Sequence, residues 1–184
     1  SNAALVVADG AGVLWAGEQK GQHFPERVAG CDLSMALLAE AAKRRTPVYC
    51  LGAAPGVAEQ AIRNVEKKVG SLVVVGTHSG FFDDREEARI IDAIAQSGAK
   101  LVLVALGVPK QEKWISQKLA HLDGVVAIGI GGSFDVMAGV VKRAPLWMQR
   151  NRIEWLYRLA KQPQRILRML ALPRFMWAVL TAKK

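Results

Sequence analysis

Polar residues follow two apolar stretches of the chain where strands are expected to end. Residues 101–106 run into Gly107-Val108-Pro109-Lys110-Gln111, and residues 125–130 run into Gly131-Gly132-Ser133-Phe134-Asp135. In parallel α/β sheets, ligands bind beyond the carboxyl ends of the strands, where glycine admits a phosphate and helix N-termini supply N–H donors. The two loops are therefore the first candidates for a ligand site.

The side chains in these loops suit a nucleotide. Lys110 and Gln111 could contact phosphate or sugar oxygens, although a lysine-rich helix start is also typical of a solvated face. Asp135 could bind ribose hydroxyls, or could simply interact with the dipole of its own helix. Their clustering at strand ends favours the functional interpretation.

Two further strand ends carry candidate residues. Asp9 follows the apolar residues 5–8, and a partly desolvated carboxylate there could take a proton from a substrate hydroxyl. Asp-Gly is also ordinary turn chemistry. The loop at residues 76–82 places Thr77 beside Phe81, a combination that suits a ribose and a base but equally fits a glycine turn with core phenylalanines.

The pattern of apolar residues predicts the elements that position these loops. Strand-length apolar runs and helical periodicity alternate along the chain. The predicted strands are residues 5–8, 48–51, 72–75, 101–106 and 125–130, and the predicted helices are residues 33–45, 55–69, 86–96 and 110–122. Strands that are apolar on both faces predict a Rossmann-like α/β fold with a mostly parallel sheet flanked by helices.

The positive charge lies at the C-terminus. The chain of 184 residues carries a net charge of +9. From Lys142 onward eleven basic residues and one acid, Glu154, give +10, which leaves −1 for residues 1–141. We therefore expect a tag remnant at residues 1–3, a Rossmann-like catalytic core at 4–141, and a basic amphipathic helical appendage at 142–184, broken near Pro163 and Pro173.

Several function classes find no support in the sequence. No run of 18 apolar residues and no secretion leader is present, which favours the cytoplasm. Cys31 and Cys50 are interpreted as core thiols, and His78 has no partner at metal-ligand spacing. No Gly-x-Gly-x-x-Gly follows the first strand, as a nicotinamide enzyme would require. No Asp-x-Asp pair is present to hold a metal on a diphosphate, so we expect no metal cofactor.

The motifs taken together resemble the WecG/TagA/CpsF glycosyltransferases, family 26. The resemblance extends over essentially the whole chain. It is carried by Asp9-Gly10 with Trp15, Arg27-Val28-Ala29-Gly30-Cys31-Asp32, the loops at 76–82, 107–112 and 131–135, Gly139-Val140-Val141-Lys142-Arg143-Ala144-Pro145, and Glu154-Trp155-Leu156-Tyr157-Arg158-Leu159.

The resemblance implies an inverting hexosyltransferase. The donor would be the UDP-sugar of N-acetylmannosamine or of a related hexose. The acceptor would be an undecaprenyl-diphosphate-linked N-acetylglucosamine at the inner face of the plasma membrane. The product would enter a cell-surface polymer such as teichoic acid, enterobacterial common antigen or an exopolysaccharide. The basic appendage would then bind an anionic membrane surface, or alternatively form a homo-oligomer interface.

The resemblance also implies roles for individual residues. Asp9 matches the general base, and Arg27 and Gln111 match active-site residues. Phe81 and Asp135 match positions around the uridine. The appendage arginines that close over the active site and reach the diphosphate are matched by Arg158, Arg165 and Arg168.

Two alternatives to this enzyme stay open, one from a departure from the family pattern and one from the basic tail. The family has about one further α/β unit before this point, and its absence predicts a nucleotide-binding homologue without activity as one alternative. The +10 tail raises the other, an α/β module that binds nucleic acid. That module leaves the strand-end loops unexplained, so we expect no nucleic-acid partner.

Overall fold

The computed structural model describes residues 3–151, 153–161 and 171–181. These residues form two compact units. Gly30–Lys142 make up the first, which we call the sheet unit. Ala3–Ala29 and the described part of Arg143–Lys184 make up the second, which we call the terminal unit.

Helices and strands alternate through the sheet unit, and helices alone occur in the described part of the terminal unit. In chain order the elements are α1 (Ala11–Gln19), α2 (Gly30–Arg44), β1 (Pro47–Gly52), α3 (Val57–Val69), β2 (Val73–His78), α4 (Asp84–Gln96), β3 (Leu101–Ala105), α5 (Lys110–Trp114) with a following π-helical turn (Ile115–Leu119), β4 (Val126–Gly129), α6 (Ser133–Ala138), α7 (Leu146–Arg150), α8 (Glu154–Lys161) and α9 (Ala171–Thr181).

The strands of the sheet unit are parallel and lie in the order β2-β1-β3-β4. Alternate residues of β3 point to opposite faces: Leu103 packs in a core with Phe134, and Val102 packs in a second core with Trp114. Each fully buried side chain of this kind contributes about 1.5–3 kcal/mol. The predicted Rossmann-like α/β fold with a parallel sheet and flanking helices is confirmed.

The strand predicted at residues 5–8 does not form. Leu5 is 77% exposed and Val6 is 73% exposed, and the sheet of the described chain contains β1 to β4 alone. A strand needs a neighbouring strand with which it forms a series of backbone hydrogen bonds. Among the described residues, this segment makes one such bond, which Val28 N donates to Ala8 O at 3.0 Å. Apolar character over four residues was therefore misleading.

The terminal unit brings the start of the chain together with its end. In α1, a Cβ added to Gly12 would lie 3.6 Å from the Phe175 ring of α9. Pro173 lies in the first turn of α9, which begins at Ala171, so its missing N–H costs no helical hydrogen bond. The expected break near Pro173 stays a prediction, because the residues just before Ala171 are not among those described. The expected break at Pro163 falls outside the described residues.

Candidate active site

Backbone hydrogen bonds tie together the loops that follow β1, β2 and β3. Ala53 N donates to Ala105 O at 3.1 Å, and Gly80 N donates to Ala53 O at 2.8 Å. At the end of β1, Gly52 has φ +124°, and a Cβ there would collide with the backbone of Ala105. Glycine is thus required where these loops approach one another.

Gln111 joins two further loops through a buried amide. The residue is 2% exposed. Its Oε1 accepts a hydrogen bond from Gly131 N at 3.0 Å, and its Nε2 donates to Glu112 Oε1 at 2.8 Å. A side chain on Gly129 would overlap the amide, with the added Cβ 2.5 Å from Nε2. Gln111 therefore fixes the loop after β3 against the loop after β4.

The loop after β2 presents aromatic rings. Phe81 is 73% exposed, which is unusual for a phenylalanine and excludes its interpretation as a core residue. Next to it, Phe82 is half-buried, with Lys110 Nζ 5.1 Å from its ring centroid and the His78 ring edge-on at 6.0 Å. The group offers an aromatic face and a cation, which suit a base and a phosphate.

Thr77 and Asp135 lie near the ends of β2 and β4. The Thr77 Oγ1 donates to Glu59 Oε1 at 2.7 Å, so this hydroxyl already has a partner in α3. The Asp135 carboxylate faces the glycine loop, because a Cβ on Gly132 would lie 3.5 Å from Oδ2. The sheet unit thus places its five predicted site residues at the carboxyl ends of β2, β3 and β4: Thr77, Phe81, Lys110, Gln111 and Asp135.

Three charged residues meet in the terminal unit. Arg27 Nε lies 3.4 Å from Asp9 Oδ1, and Arg27 Nη2 lies 3.2 Å from Glu154 Oε2. The Asp9 side chain is about half exposed, whereas that of Glu154 is 5% exposed. Asp9 and Arg27, both predicted from the sequence, are therefore brought into direct contact.

Glu154 was missed as a site residue. It lies 127 positions from Arg27, and no local motif links the two. One signal was available, since Glu154 is the single acid among the basic residues that follow Lys142. A lone acid in a basic segment is a candidate for a specific ion pair rather than a solvated face.

The appendage arginines are described only in part. Arg158 lies in α8, four residues after Glu154. Arg165 and Arg168 lie outside the described residues. Their predicted contacts with a diphosphate stay predictions.

Metal ligands, membrane-spanning helices and the buried thiol were considered for the residues described. Across residues 3–151, 153–161 and 171–181, no three His, Cys, Asp or Glu side chains cluster as metal ligands would. Within the same ranges no helix combines the length and apolar character that crossing a membrane requires. Burial raises the pKa of the Cys50 thiol to about 12, so it stays protonated at neutral pH, as expected for a core thiol.

The matches to known proteins extend over both the sheet unit and the terminal unit. The family described as "Glycosyl transferase WecG/TagA/CpsF family" matches residues 1–184. The N-acetylglucosaminyldiphosphoundecaprenol N-acetyl-beta-D-mannosaminyltransferase of Bacillus spizizenii is 40% identical over 181 residues, which are 98% of this chain and 69% of that protein. The Bacillus subtilis protein of the same name is 35% identical over 184 residues, 100% of this chain and 71% of its own length.

Proposed function

The chain belongs to the WecG/TagA/CpsF glycosyltransferase family, and from this premise we propose that it transfers N-acetylmannosamine from a UDP-sugar to undecaprenyl-diphosphate-linked N-acetylglucosamine. The reaction is an inverting hexosyl transfer in the synthesis of a cell-surface polymer. The observation that carries the proposal is the family match over residues 1–184. The contact between Asp9 and Arg27 supports it.

Asp9 is the general base in this proposal. Its carboxylate takes the proton of the acceptor hydroxyl as the hydroxyl oxygen bonds to the anomeric carbon and UDP departs with the electrons of the broken bond. The half-exposed side chain can reach a substrate, and Arg27 orients it from 3.4 Å. A positioned base of this kind contributes about 10²–10⁴-fold to the rate.

The loops of the sheet unit bind the donor. The exposed ring of Phe81 supports the uracil by stacking. Asp135 hydrogen-bonds the ribose hydroxyls, and the Thr77 hydroxyl, which donates its proton to Glu59, accepts a hydrogen bond from one of them. The Lys110 ammonium attracts the diphosphate. Gln111 acts by holding the glycine loop at Gly131 in shape, because both ends of its amide are bonded within the sheet unit.

Cationic side chains stabilise the departing diphosphate. Guanidinium groups match phosphate oxygens in a bidentate geometry, and the proposal assigns this role to Arg158, Arg165 and Arg168. Positive side chains placed where negative charge develops lower the barrier without a metal ion. We accordingly propose a metal-independent reaction.

The described part of the appendage supports a membrane role. Trp177 is 72% exposed and Leu180 is 62% exposed on α9, which also carries Arg174. We propose that this helix binds the anionic inner face of the plasma membrane, where each basic residue contributes about 1 kcal/mol. Packing against a second copy of the chain is the competing use of the same face. Co-sedimentation with anionic vesicles tests this, and binding that survives deletion of residues 163–184 would contradict it.

The substrate assignment is tested by UDP release. A panel of UDP-sugars is assayed with and without a soluble undecaprenyl-diphosphate N-acetylglucosamine analogue, in EDTA and in added divalent cation. We expect release that needs the acceptor, is fastest with UDP-N-acetylmannosamine and is unchanged by EDTA. Absence of acceptor-dependent release with every donor would contradict the proposal, and loss of release in EDTA would contradict metal independence alone.

A further inference from the structure

We propose that Glu154 is a positioning residue for the general base and acts on Asp9 through Arg27. The proposal rests on the proposed function, since it assumes that Asp9 takes the acceptor proton. Its starting point is the chain of contacts from Glu154 Oε2 to Arg27 Nη2 at 3.2 Å and from Arg27 Nε to Asp9 Oδ1 at 3.4 Å.

Burial makes the contact with Arg27 important to Glu154. Its carboxylate is 5% exposed, and a buried carboxylate is costly unless a cation and hydrogen bonds compensate it. Arg27 supplies the cation, and its own side chain is mostly buried at 22% exposure. The buried end of the guanidinium is therefore held more tightly than the end that faces the half-exposed Asp9.

The guanidinium transmits this position because it is a rigid plane. Two different nitrogens of the planar Arg27 guanidinium bind the two carboxylates. If the guanidinium rotates to follow a shift of Glu154, its contact with Asp9 shifts as well. Glu154 thus sets the direction from which Arg27 approaches Asp9. A misplacement of about 1 Å at a reacting group can reduce a rate by roughly 10²-fold.

The same contact links α8 to the base. Glu154 is the first residue of α8, and Arg158 follows it by four positions in that helix. The acid that orients Arg27 and one of the arginines assigned to the diphosphate thus belong to one element of the terminal unit. The position of this helix and the position of the base are set together.

The test compares variants of the full chain in the UDP-release assay. Glu154→Gln keeps the shape and removes the charge, and Glu154→Asp keeps the charge on a shorter side chain. Glu26→Gln is the matched control, since Glu26 is an exposed acid beside Arg27. Steady-state kcat and KM for the donor are measured for each variant, with thermal unfolding to report folding, and Asp9→Asn serves as the reference for loss of the base.

We expect kcat to fall by about 10–100-fold in Glu154→Gln at an unchanged KM, by less in Glu154→Asp, and not at all in Glu26→Gln. In an Arg27→Lys background the further effect of Glu154→Gln should shrink, because the transmitting plane is gone. A merely structural acid would instead lower the unfolding temperature of Glu154→Gln and leave the kcat of the folded variant unchanged.

Three results would overturn the inference. They are a kcat for Glu154→Gln within threefold of the parent chain, equal kcat for the Gln and Asp variants, and an undiminished effect in the Arg27→Lys background. If Glu154→Gln does not fold, Glu154→Asp decides, and an unchanged kcat in that variant rejects the proposal. An active Asp9→Asn variant would instead reject the assignment of the base in the proposed function.

Discussion

The sheet unit and the terminal unit hold their site residues by different means. In the sheet unit, loops are fixed by backbone hydrogen bonds and by the buried amide of Gln111. In the terminal unit, Asp9 is held by a guanidinium that also serves Glu154. The residues of the sheet unit are therefore positioned mainly by backbone shape, and those of the terminal unit mainly by charge. The two units should respond to different substitutions.

The largest effect is expected where backbones are in contact. Gly52→Ala combines a strained φ of +124° with a collision against Ala105, and we expect it to lower the free energy of unfolding by roughly 3–5 kcal/mol. Gly10→Ala in the terminal unit shares a positive φ of +92°, but nothing lies within 4 Å of the added Cβ. It should cost about 1–2 kcal/mol. Urea unfolding measures both, and equal losses would contradict the contrast.

A smaller effect is expected from removing a buried amide. Gln111→Ala leaves the Gly131 N–H without its side-chain acceptor, so we expect a loss of about 1–3 kcal/mol in the free energy of unfolding. Gln149→Ala is the counterpart in the terminal unit, where a half-buried amide donates to Ala144 O. It should cost about 0.5–1.5 kcal/mol. The comparison would fail if Gln149→Ala cost more than Gln111→Ala in the same denaturation experiment.

The smallest effect concerns an ion pair of the sheet unit. The hydrogen bond from Lys118 to Glu87, followed by that from Trp114, holds the pKa of the Glu87 carboxyl below its usual value of 4.5. A carboxyl whose pKa is lower in the folded state stabilises the fold at pH values above its pKa in the unfolded state. This stabilisation is lost as the pH falls through the pKa of the folded state. We therefore expect the parent chain to exceed Glu87→Gln in stability at pH 7 and to lose that advantage between about pH 5 and pH 3. Denaturant midpoints across this range measure it, and a constant difference would refute it.

The sequence predicted the parts of the molecule that depend on local pattern. The continuous apolar runs of β1 and β3 identified buried parallel strands, and the predicted residues Lys110 and Gln111 begin the helix that follows β3. Residues 5–8 show the same apolar pattern without a neighbouring strand, and the structure leaves Leu5, Val6 and Val7 exposed. Pattern alone does not specify whether a pairing partner exists.

Glu154 was missed for the same reason, since its role depends on a distant contact. The role of Glu154 depends on a partner 127 positions away and on burial, and neither is visible in its neighbours along the chain. Phe81 and Thr77 were placed correctly at a strand end, but only the structure shows that the Phe81 ring is exposed and that the Thr77 hydroxyl bonds Glu59. Long-range contacts therefore account for what the sequence could not reveal.

The most direct test of the account is the turnover of Asp9→Asn. The substitution keeps the size of the side chain and removes the proton acceptor, while the sheet unit that is proposed to bind the donor is unchanged. We predict that kcat falls by roughly two to four orders of magnitude while the affinity for the UDP-sugar, measured by calorimetry, stays within about twofold. Turnover close to that of the parent chain would contradict the assignment of Asp9 as the base.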